Sequence, residues 1–104
     1  MVENPRNDSA DATAERVSGA ASRGIMSLLS DRGVPANEVV VTRAEQRGMG
    51  ERAEWVVSVL RGRERASHGI SPELVDKVLA RGPCDEWYSE LRKLLEKVGV
   101  AFPD

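Results

Sequence analysis

The spacing of apolar residues changes along the chain, and each change predicts a different element. From residue 17 the apolar positions recur every three or four residues, which is the spacing of one face of an α-helix. Arg16 and Ser22 lie on the opposite, polar side. The stretch "DRG" at 31–33 ends the pattern, because glycine readily takes the left-handed conformation that follows a last helical turn. The buried stripe of this predicted helix is Val17, Ala21, Ile25, Leu28 and Leu29.

After Pro35 the pattern favours strands. The stretch "NEVVVTRAEQ" has three consecutive valines, whose branched side chains suit a pleated surface, and the glycine-rich "RGMG" at 47–50 can turn. In residues 52–61 a strand would place Trp55, Val57 and Val59 on one face. A helix would instead form a stripe from Trp55, Val56, Val59 and Leu60, and spacing alone does not decide between the two. The branched residues favour the strand, and therefore an antiparallel β-hairpin.

Two further helices follow a stretch, "RGRERASHG" at 61–69, that we interpret as a polar connector. Ser71 is a good N-cap and Pro72 suits the first helical position. Gly82 and Pro83 end this helix, and Asp85 is expected to cap the next one. The predicted apolar stripes are Leu74, Val75, Val78 and Leu79 in the first helix and Trp87, Leu91, Leu94, Leu95 and Val98 in the second.

Together these elements predict the α+β class: a β-hairpin packed with three helices in the order α-β-β-α-α. Residues 1–12 are polar and lack apolar periodicity, so we expect a disordered tail before a single domain of residues 13–104. The chain has 104 residues, enough for one core without a metal or disulfide, and one cysteine. It has no apolar run of about 18 residues and no signal-peptide pattern, so the expected location is the cytoplasm.

Catalytic chemistry has only weak candidates. Cys84 precedes a predicted helix, where the positive helix end lowers a thiol's pKa, but a nucleophile also needs a positioned base. His68 is the single histidine and is expected to be a solvated loop residue. One histidine and one cysteine do not make a metal site. We therefore predict no enzyme activity, no cofactor and no metal.

Arginines concentrate in and beside the predicted hairpin. Net charge is −2 overall, whereas residues 16–69 carry +3. Arginine's planar guanidinium suits carboxylate and phosphate partners. Interleaved glutamates, including Glu45 and Glu54, are typical of a solvated sheet edge with cross-strand ion pairs. The candidate partner-binding residues are Arg43, Arg47, Arg52, Arg61, Arg63 and Arg65.

These features favour a non-enzymatic protein-interaction module, an accessory or regulatory subunit that binds a protein or a second copy of itself through the hairpin and its arginine-rich connector. The alternative is a small nucleic-acid-binding protein that uses the same arginines. The two C-terminal helices are less suited to reading DNA, because the first turn of the second helix is acidic, with Asp85 and Glu86. We expect no membrane partner.

Overall fold

The structure, a computed structural model, describes residues 5–102, with side chains from residue 12 onward. Its main elements, in chain order, are three helices and three strands: α1 Pro5–Asp31, β1 Val40–Arg47, β2 Glu54–Arg61, β3 Glu64–Ile70, α2 Pro72–Arg81 and α3 Asp85–Glu96. A short 3-10 helix, Gly50–Arg52, lies between β1 and β2. The predicted α+β class is confirmed.

The strands form one antiparallel sheet in the order β1-β2-β3. Residues 54–61 are the central strand, so the strand interpretation of this stretch is confirmed and the helical alternative is wrong. Trp55 pairs with Gln46 of β1 and with Ile70 of β3. Thr42 is an extra residue in β1, because the register shifts between Val41 and Arg43. Such a bulge bends and twists the strand that contains it.

The interpretation of residues 61–69 as a connector was wrong, because most of this stretch is β3. Gly62 and Arg63 are the two residues between the paired ends Arg61 and Glu64, so β2 and β3 form a tight hairpin. Gly62 has φ of 61°, a conformation that glycine takes without the steric cost of a side chain. The observed element order therefore has one strand more than predicted.

All three helices lie against the same face of the sheet. The central strand presents Trp55, Val57 and Val59 to them, and these residues are buried in the common hydrophobic core. The predicted helical stripes are confirmed, since every residue named for them is buried except Leu79, which is half-buried. Both tryptophans belong to this core. Its largest fully buried side chains include Trp87, Ile25, Leu29, Ile70, Leu91, Leu94 and Leu95.

The caps of α2 follow its sequence. The Ser71 hydroxyl accepts a hydrogen bond from the Leu74 backbone N–H (3.3 Å), and Gly82 ends the helix with φ of 95°. The prediction that Asp85 caps α3 was wrong by one residue. Cys84 is the N-cap and its side chain makes no capping hydrogen bond, so Asp85 lies in the first turn. There its charge complements the positive helix end.

Helix α1 begins at Pro5 and therefore overlaps the segment, residues 1–12, that was predicted to be a tail. Residues 1–4 lie outside the described part of the chain. Among the residues whose side chains are described, the first fully buried one in α1 is Val17. That residues 1–12 contribute little to stability stays a prediction.

Candidate interaction surface

The sheet face opposite the helices, here called the open face, is covered by no element of the described chain. Its residues follow from the register, because side chains of directly paired residues point to the same side. In β2 they alternate with the core residues. Val56 is buried but lies outside the common core, while Ser58 and Leu60 are half-buried. The outward positions are Val40, Arg43, Glu45 and Arg47 in β1, Glu54, Val56, Ser58 and Leu60 in β2, and Arg65, Ser67 and Gly69 in β3.

A depression of about 400 Å³ lies in the open face. Arg43 of β1 and Arg65 of β3 line it from the two strands that flank β2. The hydroxyls of Ser58 and Ser67 are 2.8 Å apart and hydrogen-bonded to each other. The Thr42 hydroxyl donates to the Ser58 carbonyl at 3.3 Å. The depression thus combines two guanidinium groups with hydroxyls, which are the groups that bind carboxylates.

The ion pairs on the open face leave one of its arginines unpaired. Glu45 lies within 3.2 Å of the Arg43 guanidinium and accepts a hydrogen bond from Arg47 Nε at 2.8 Å. Arg65 forms no ion pair with any other residue that the structure describes. Its charge is therefore available to a partner.

Three of the six predicted arginines, Arg43, Arg47 and Arg65, share the open face. Arg63 lies in the β2–β3 turn, and Arg52 lies in the short 3-10 helix before β2. Arg61 has a structural role instead. Its guanidinium donates to the Val98 carbonyl at 2.9 Å and pairs with Glu38 at 3.2 Å.

Sequence reasoning missed the hydroxyls of Thr42, Ser58 and Ser67. The strand prediction already placed Ser58 on the face opposite Trp55, so this residue could have been found. Ser67 required the third strand, and Thr42 required the bulge. Neither feature has a clear signal in the pattern of apolar residues.

His68 lies on the helix side of the sheet, not in a solvated loop as predicted. It is half-buried in β3, where Nε2 is 3.3 Å from Glu90 of α3 and Nδ1 is 3.4 Å from Lys97 Nζ. Glu90 also accepts a hydrogen bond from Lys93 at 2.8 Å. Burial by itself raises the pKa of Glu90, but the hydrogen bonds and charges of Lys93 and His68 lower that pKa below its ordinary value of 4.5. The cluster fixes β3 to α3.

Cys84 is half-buried, and its thiol has no hydrogen bond with His68. Among the side chains that the structure describes within residues 5–102, no group of three or more possible metal ligands occurs. None of the helices in this part of the chain has the length and apolar character needed to cross a membrane. The absence of enzyme activity stays a prediction.

Comparisons of the chain with protein-family models, curated proteins and solved structures give no match.

Proposed function

We propose that the protein is a non-enzymatic interaction module whose open face binds an extended, acidic segment of a partner protein. One observation carries the proposal. Arg43 and Arg65 stand on opposite sides of a hydroxyl-lined depression on a sheet face that no described helix covers. A carboxylate in this depression would accept hydrogen bonds from a guanidinium group and a hydroxyl.

The dimensions of the open face favour an extended segment as the partner. Neighbouring strands lie about 4.8 Å apart and a strand rises about 3.4 Å per residue. A sheet of three strands of this length is therefore roughly 10 Å wide, from the axis of β1 to the axis of β3, and roughly 24 Å long. A stable interface between two folded domains buries about 800 Å² on each side. The open face is therefore better matched to a single chain segment than to a large folded surface.

The composition of the open face supports a protein partner over the alternative, a nucleic acid. Glu45 and Glu54 alternate with the arginines, which reduces attraction to a polyanion. Sheets that bind single strands use exposed aromatic side chains to stack the bases. The outward positions of the three strands contain no aromatic residue.

The proposal can be tested with a synthetic glutamate-rich peptide as the probe. In a ¹⁵N-labelled sample, titration should shift the backbone amides of Thr42, Ser58 and Ser67. Arg65→Glu should weaken binding about tenfold or more, because it places like charges in contact. Arg63→Glu makes the same charge change in the turn and is the matched control. Arg61 is unsuitable for this test, since charge reversal there would break its contacts with Val98 and Glu38.

Two results would contradict the proposal. One is a peptide titration that shifts no residue of the open face. The other is an equal loss of peptide affinity in Arg63→Glu and Arg65→Glu, which would indicate that the peptide is attracted to positive charge in general. If a single-stranded oligonucleotide binds more tightly than the peptide and its affinity falls steeply with salt, the nucleic-acid alternative is favoured.

Association with a second copy is a separate outcome with its own measurement. Sedimentation velocity over a wide range of protein concentration should show a constant mass if the open face serves a different protein. A mass that doubles with concentration, and that Arg65→Glu returns to the monomer value, would make a second copy the partner.

A further inference from the structure

A second cavity lies on the opposite side of the molecule, between α1 and the α2–α3 turn, and is independent of the open face. Its volume is about 360 Å³, within the range of about 300–1,000 Å³ found for small-molecule sites. Helix α1 leaves this space because it contributes Gly19 and Ala20, which have little or no side chain. Leu79 and Trp87 contribute apolar surface from the other two helices.

One polar atom beside this cavity lacks a partner. The indole nitrogen of Trp87 is buried and donates no hydrogen bond to any described residue. It lies 3.2 Å from the position that a Cβ atom would take at Gly24, another residue of the cavity wall. A buried donor without an acceptor is costly and is rare in native proteins. Almost none of its surface is accessible, so a ligand in the cavity contacts the residues around this nitrogen rather than the nitrogen itself.

The rim of the cavity carries positive charge. Arg23 folds back along α1, with a guanidinium nitrogen 3.3 Å from the Cβ position at Gly19, and it forms no ion pair within the described chain. Arg16, seven residues earlier on the same side of α1, makes a long hydrogen bond of 3.4 Å to the Leu79 carbonyl. Glu15 is the acidic residue of the rim, so the two arginines leave an excess of positive charge.

We propose that this cavity binds a small organic acid that has an apolar body. A carboxylate supplies the negative charge that Arg23 favours, and the apolar body contacts Leu79 and the Tyr88 ring. Sites for small molecules usually have mostly apolar walls and a few polar groups that point toward the ligand.

Sodium benzoate is the probe, and benzyl alcohol is the neutral compound of similar shape. Benzoate should shift the Trp87 indole N–H resonance and the amides of Gly19 and Ala20 until saturation. Benzyl alcohol should bind about tenfold more weakly or worse, because it lacks the charge-assisted hydrogen bond. Arg23→Gln should weaken the binding of benzoate to a similar degree. Arg32→Gln, which removes an equal charge at an exposed residue just after α1, should have no effect on benzoate binding.

Gly19→Leu tests the location of the site. A Cβ atom at this position meets only the flexible end of Arg23, so the helix tolerates the change while the new side chain fills the cavity. Benzoate binding should be lost in a variant that keeps the native amide spectrum. If this variant does not fold, Gly19→Ala and Arg23→Gln decide the question, and both should weaken binding. The proposal is overturned if benzoate shows no saturable shifts, if it shifts only Thr42, Ser58 and Ser67, or if benzyl alcohol binds equally well.

Discussion

Two glycines of α1 illustrate how differently the same residue can act on one helix. A Cβ atom at Gly24 would overlap Leu91 Cδ1 and lie 3.2 Å from the Trp87 indole nitrogen. A Cβ atom at Gly19 would meet only the Arg23 guanidinium, at 3.3 Å. Gly24 therefore allows α1 and α3 to approach closely, whereas Gly19 leaves unfilled space. Both weaken the isolated helix by up to about 1 kcal/mol relative to alanine.

We expect Gly24→Ala and Gly19→Ala to change stability in opposite directions. Gly24→Ala should lower the free energy of unfolding by about 1–3 kcal/mol, since overpacking outweighs the gain in helix propensity. Gly19→Ala should raise the free energy of unfolding by up to about 1 kcal/mol. Urea denaturation of the two variants measures both effects. A Gly24→Ala variant as stable as the native protein would mean that Leu91 moves aside without cost.

The lowered pKa of Glu90 gives a second prediction for a single residue. A carboxyl group whose pKa is lower in the folded than in the unfolded state stabilises the fold above the unfolded value, and this stabilisation disappears as the pH falls through the folded value. Glu90→Gln should therefore reduce stability at pH 7, relative to the native protein. The difference in the free energy of unfolding between the two proteins should become smaller as the pH falls below 4.5. Urea denaturation of both proteins at about pH 7 and about pH 3 checks this, and a difference that widens at the lower pH would contradict it.

Among the secondary-structure elements, β3 depends on the turn that precedes it. Gly62→Ala should lower the free energy of unfolding by about 1–2 kcal/mol, because a left-handed conformation is unfavourable for a residue with a Cβ atom. Arg63→Ala is the matched control, since Arg63 has a negative φ and its side chain is exposed. Thermal denaturation of the two variants gives the comparison. Equal loss in both would show that the left-handed conformation of Gly62 has no special role in the stability of the hairpin.

The sequence predicted those elements whose buried positions have a clear period. The stripes of the three helices and the alternation in β2 are of this kind, and all were found. Strand β3 was missed because its core-facing residues are Ala66, His68 and Ile70, which are too small or too polar to form a recognisable apolar pattern. The two-residue spacing between Arg61 and Glu64, with a glycine in the turn, was the remaining signal for a hairpin.

The candidate site was predicted less completely than the fold. Arginine density identified the region, but only the register shows which arginines share a face. Arg61 illustrates the limit, because its contacts with Val98 and Glu38 join segments distant in the chain. Such contacts leave no local pattern in the sequence.

At the scale of the whole molecule, the contribution of the N-terminal segment can be measured by truncation. Deleting residues 1–12 should leave the thermal midpoint within a few degrees, because the described buried residues of α1 begin at Val17. Deleting residues 1–20 also removes the buried Val17, and this longer truncation should lower the thermal midpoint strongly. A fall of about 10 °C or more in the shorter truncation would show that residues 1–12 contribute to the core.

The contact between α1 and α3 has a consequence for the order of events during protein synthesis. Helix α1 leaves the ribosome before the strands and the other two helices, yet its Gly24 lies against Trp87 and Leu91, which are made much later. The nascent chain therefore carries the part of the apolar stripe of α1 that packs on α3 unprotected while the strands and α2 are translated. Transiently exposed apolar surface of this kind promotes aggregation and recruits chaperones. A pause in translation before residue 87 should thus yield a protease-sensitive chain, and release of α3 should complete the fold.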